Sequence, residues 1–175
     1  MKQLKLYNLV FPTFILTVLS PLLLMLTLVG NFVFDSLVII IISLFIFKKV
    51  NKYFYRETVF LCWFFGLVAD FFGVIYLSVM GLLFSGDNYQ GTENVWRMIT
   101  SGIHDATSFS HFDSLWGVLF IVSGIIVAAV LIFVFNYFIT FKRQKISRVQ
   151  RIAASIAVAV FTAPYTFLLP KEWFV

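Results

Sequence analysis

The chain has 175 residues, 61% of them hydrophobic and 12% charged, and a formal net charge of +5. A soluble domain carries about a quarter charged residues, so this composition, with a mean hydropathy of +0.99, excludes an ordinary soluble fold. It predicts an all-α, polytopic membrane helix bundle, formed as one unit because no aqueous segment is long enough to bury its own core. Cys62 is the only cysteine, which excludes an internal disulfide and a thiolate metal cluster. Its expected role is a small side chain in the lipid phase.

Five transmembrane helices are expected in chain order. Lys2 and Lys5 precede a long apolar stretch with no small-x-small cleavage site, which predicts an uncleaved first span at about residues 9–29. Thr13, Thr17, Ser20 and Thr27 lie close to one face of it, and Pro21 is expected to kink it. Gly30 and Asn31 are expected to form a tight outer turn into the second span, about residues 32–47. Asp35 then falls near the outer end of that span, where it would cap the helix or snorkel to water.

The third span, about residues 58–84, contains "GLVADFFG" with Asp70 at its centre. A charge at that depth costs a few kcal/mol on insertion scales, about 2.5–3.5. At about 100° per residue, Gly66, Gly73 and Gly81 lie within roughly 60° of Asp70. Small residues on one stripe admit a neighbouring helix, so the Asp70 face is expected to be a helix contact. Two roles are open for the carboxylate: a buried hydrogen-bonded strut, or a proton or cation site. If Asp35 and Asp70 shared a cavity, they would resemble a coupling-ion site.

Residues 85–114 are the one sizeable aqueous segment, on the outer side, with Asp87, Glu93, Asp105 and Asp113 against Arg97. Within it, "TENVWRMITSGI" reads as a short interfacial helix capped by Thr92. His104, Asp105, His111 and Asp113 carry ligand types suited to zinc, but not at a usual helical ligand spacing, so no metal is expected. The fourth span, about 115–141, aligns Gly117, Gly124 and Ala128 and places Asn136, a polar group needing a partner, near its inner end. The fifth, about 152–169, pairs Ala153 with Ala157 and Ala159 with Ala163.

With these spans Lys2, Lys5, Lys48, Lys49, Lys52, Arg56, Lys142, Arg143, Lys145, Arg148 and Arg151 fall on one side, and Arg97 and Lys171 on the other. Short loops rich in Lys and Arg stay cytoplasmic, so the N-terminus is expected inside and the C-terminus outside, in a cell membrane. "KKVNKYFYR" and "FKRQKISRVQR" are basic and aromatic. Because they adjoin membrane helices, anionic lipid rather than nucleic acid is their expected partner. No HExxH, GxSxG, Walker A or dinucleotide motif occurs, so neither an enzyme nor a cofactor is expected.

The order "FDSLVIIIISLFIF", "KKVNKYFYRE", "FGLVADFFGVIYLS" resembles the rod-shape-determining MreD family over about residues 34–78, including its Gly-x-x-x-Asp pattern at Gly66 and Asp70. That resemblance implies a non-catalytic member of a cell-wall elongation complex, with a membrane-anchored MreC-like protein and the wall-synthesis machinery as partners. Gly66, Asp70 and Gly73 also match the Gly-x-x-x-Asp-x-x-Gly form carried by substrate-binding subunits of energy-coupling-factor vitamin transporters. The acidic outer loop and the outer C-terminus depart from both families. The expected function is therefore a non-enzymatic membrane subunit that works by assembly with other membrane proteins. The alternative is a small-solute or vitamin transport subunit with Asp70 in or near its site.

Overall fold

A computed structural model describes residues 21–84, 101 and 115–168. Every regular element among them is helical: α1 (Pro21–Phe47), α2 (Lys52–Phe84), α3 (Leu115–Phe135) and α4 (Arg148–Phe161). A π-turn (Asn136–Thr140) and a 3-10 turn (Phe141–Arg143) extend α3, and a 3-10 turn (Tyr165–Leu168) follows α4. Four segments are long and apolar enough to cross a membrane, namely Thr27–Phe47, Lys52–Gly81, Leu115–Arg143 and Arg148–Leu168. Each helix packs on its neighbours in the chain, and α4 closes against α1. The short α1–α2 and α3–α4 links make those pairs antiparallel, so Lys48, Lys49, Lys52, Arg56, Lys142, Arg143, Lys145, Arg148 and Arg151 gather at one end. We call it the basic end and the other the far end.

The expected turn at Gly30 and Asn31 is absent. Both residues lie inside α1, so residues 21–29 begin this helix rather than end a separate one, while residues 1–20 lie outside the described residues. A glycine lowers helix propensity by about 1 kcal/mol, which the apolar sequence on both sides outweighs. Thr13, Thr17 and Ser20 also lie outside the described residues, as do the expected interfacial helix, apart from helical Ser101, and His104, Asp105, His111 and Asp113.

Two helices start earlier than expected, each on a polar cap. Asn51 Oδ1 accepts from the backbone N–H groups of Tyr53 (3.1 Å) and Phe54 (3.2 Å), which starts α2 at Lys52. The Ser43 hydroxyl donates to the Lys49 carbonyl (3.3 Å) and accepts from the Asn51 N–H (2.9 Å), holding the link in which Lys48 takes a φ of 58°. Ser147 and Gln150 form a reciprocal capping box that starts α4 at Arg148. At its other end α4 stops at Phe161 instead of running to 169, because Pro164 lacks an N–H and cannot continue the ladder. Ala163 therefore lies beyond the helix it was expected to line.

The interior has two levels. At the basic end and mid-depth, all four helices contribute, with Ile39, Phe54, Ile132, Phe141 and Val158 almost fully buried. Toward the far end the buried cluster is built from α2, α3 and the segment after α4, as Leu77, Ile121, Ile125 and Phe167. Among the described side chains, none of α1 belongs to that second cluster. The α2–α3 contact is the close one: a Cβ on Gly124 would stand 2.6 Å from Leu77 Cγ, and a Cβ on Gly73 would stand 3.2 Å from Ala128 Cβ. Gly117 and Gly81 are buried as well. The third and fourth spans thus meet closely at Gly73 and Gly124.

Cys62 does not face lipid. It is 1% exposed and donates its thiol to Asn136 Oδ1 at 2.9 Å, while Asn136 Nδ2 donates to the Ile132 carbonyl at 2.9 Å. Here Asn136 finds the partner its position required. The bond lies where α3 passes into the π-turn, a conformation that frees backbone groups from the regular α ladder.

Candidate functional site

Where α1 leaves the second cluster, a cavity of about 350 Å³ opens between α1, α2 and the far end of α4. From α1 it is lined by Gly30, Asn31, Phe34 and Asp35; from α2 by Trp63, Gly66, Leu67 and Asp70. The turn after α4 closes it with Thr162, Tyr165 and Thr166 among others. Of its lining residues Gly30, Phe34, Phe161, Tyr165 and Thr166 are exposed, so the cavity is open to the outside of the bundle.

Asp35 and Asp70 therefore share one cavity. Asp35 does not cap or snorkel. It lies within α1, near the middle of the Thr27–Phe47 window, and is only 6% exposed. The reason is the continuous helix: with no turn at Gly30, Asp35 sits well inside α1. Asp70 Oδ1 is buried with no hydrogen-bond partner. No described group hydrogen-bonds or ion-pairs with Asp35.

Gly66 and Gly73, one stripe in the sequence, separate in space. Gly73 is the close helix contact. Gly66 instead opens on the cavity, where a Cβ would meet only Asp35 Oδ2, at 3.8 Å. The expectation that the whole Asp70 face is a helix contact is thus corrected at Gly66.

The remaining walls hold their shape by local bonds. Trp63 Nε1 donates to the Leu28 carbonyl at 3.2 Å, and its ring meets Phe32 edge-on, centroids 5.9 Å apart. This ties α2 to α1 beside the acids. After α4, the Thr162 hydroxyl donates to the Val158 carbonyl at 2.9 Å and Tyr165 Oη donates to the Val160 carbonyl. The C-terminal end of α4, the negative end of its dipole, abuts the cavity through Phe161 and Thr162. Two acids and a helix C-terminus thus border one cavity. Trp63, Asn31 and the turn residues carried no sequence signal for it, apart from Pro164, which marks where α4 must stop.

Among the described residues no three of His, Cys, Asp and Glu come together as a metal would need. Compared with protein-family models, with curated proteins and with solved structures, the chain shows no match.

Proposed function

We propose that the protein is a non-catalytic integral membrane protein that binds a cation, or a solute carrying positive charge, at the Asp35–Asp70 cavity as part of transport. The observation that carries this reading is the meeting of two acids, from different helices, in one cavity with no hydrogen-bond or ion-pair partner among the described residues. An isolated charge in a low-dielectric interior is costly, and a second like charge beside it adds repulsion. A proton or cation removes both costs. Mid-depth sites beside an interrupted helix are a recurrent way of holding coupling ions in transporters, and α4 breaks at Pro164 beside these acids.

In this reading the basic end is cytoplasmic and binds anionic lipid, and the C-terminus is outside. On that orientation α1 enters from the outside, so a cytoplasmic N-terminus requires residues 1–20 to cross the membrane once more. Purified protein in liposomes, loaded with a pH-sensitive dye, given a potassium-diffusion potential and supplied in turn with inorganic cations and an organic amine, should show a cation or proton flux that Asp70→Asn abolishes. A flux identical in the variant and in empty liposomes would reject the reading.

A second reading, an assembly subunit of the cell-wall elongation type, draws support from a different surface. Ile41, Ile42 and Phe45 of α1 and Ala153 and Ala157 of α4 line an apolar groove of about 350 Å³, and small residues there would admit a partner helix. If that reading holds, a stoichiometric membrane protein co-purifies in mild detergent and is lost with Ala157→Leu.

A further inference from the structure

We infer that the ligand of the Asp35–Asp70 cavity is an organic ammonium ion with a small apolar or aromatic body, rather than a bare metal ion. This rests on the cation-binding reading above and names the class of cation.

The charge comes first. Among the described residues the lining holds Asp35 and Asp70 and no Lys, Arg or His. Asp35 is nine-tenths buried and unpartnered, and Asp70 offers a buried oxygen with no donor. Both call for N–H donors or positive charge. An ammonium group supplies both at once, since it carries donors and no acceptor.

Size and wall chemistry then discriminate. A bare calcium-like ion needs about 6–8 oxygens at 2.3–2.6 Å. This cavity, at about 350 Å³, is larger than a dehydrated ion fills and stands at the small end of organic-ligand pockets, about 300–1,000 Å³. Beside the polar Asn31, Thr162 and Thr166, its larger walls are Phe34, Trp63, Leu67, Phe161 and Tyr165. Aromatic faces attract ammonium ions, so these walls suit an amine that carries an apolar or aromatic body. The Trp63 N–H is already committed to Leu28, so the indole presents ring rather than donor to the cavity.

The test is equilibrium binding of radiolabelled 2-phenylethylamine to the full chain in lipid nanodiscs near neutral pH, beside 2-phenylethanol and labelled sodium and calcium. The expected result is saturable binding of the amine alone, weakened by about thirtyfold or more in Asp35→Asn and in Asp70→Asn. Gly66→Leu, which fills the cavity and leaves both charges in place, should abolish it too, and guards against an Asn variant that fails to fold. Equal binding of the alcohol would overturn the inference. Binding of sodium or calcium instead, lost in the Asn variants, would overturn it and leave the cation-binding reading standing. Binding of no cation at all would overturn both.

Discussion

A Cβ placed on Gly66 stands 3.8 Å from Asp35 Oδ2 and meets nothing else within 4 Å. Ordinary contact of this kind makes Gly66→Ala tolerable, and alanine is the better helix former by about 1 kcal/mol. Gly66→Ala should therefore keep or slightly raise thermal stability in detergent. Gly66→Leu should leave the bundle folded, because its side chain enters a cavity rather than a helix contact. A Leu variant that fails to fold would show that Gly66 is a packing residue after all.

Gly124 is the opposite case. Its added Cβ would lie 2.6 Å from both Cγ and Cδ1 of Leu77, which is 1% exposed and has nowhere to move. Gly124→Ala should destabilise the protein by about 1–3 kcal/mol through overpacking. The double variant Gly124→Ala, Leu77→Ala should recover part of that loss, since the colliding atoms are gone. Comparing unfolding midpoints for the two single variants and the pair measures the coupling directly.

Cys62 should resist maleimide in the folded protein and react only on denaturation, because it is buried on the α3 side of α2. Cys62→Ala removes the donor from Asn136 Oδ1 and should cost about 1–3 kcal/mol, the cost of an orphaned buried acceptor. Cys62→Ser retains a donor and should cost less. If both substitutions have equal effect, the thiol–amide bond contributes nothing.

Orientation can be read with fusions. A reporter after Lys145 should be cytoplasmic and one after Val175 extracytoplasmic, because Lys142, Arg143, Lys145 and Arg148 cluster in the α3–α4 link. A third reporter at Asn8 reads whether residues 1–20 add a crossing. A cytoplasmic reporter at Val175 would reverse the assignment of the basic end.

Composition and local spacing are enough to settle the material of this protein. Apolar runs long enough to cross a bilayer fixed helices as its elements, since backbone groups in lipid must pair within their own segment. Clusters of Lys and Arg placed both short links at one end. Local spacing also exposed the Gly117, Gly124 and Ala128 row, which does meet the Gly73 side of α2. Other local signals lie in the sequence too: the Asn51 cap, the Ser147–Gln150 box and the stop at Pro164. Where faces point is set by packing between helices. Helical periodicity puts Gly66 and Gly73 on one stripe, but neighbouring helices diverge, so one glycine touches α3 and the other a cavity. Whether Gly30 and Asn31 turn or continue depends on packing that propensity cannot weigh. With the helix continuous, Asp35 moves from an expected helix end to the bundle interior. Its meeting with Asp70 joins positions remote in the chain, and no local pattern encodes such a distance.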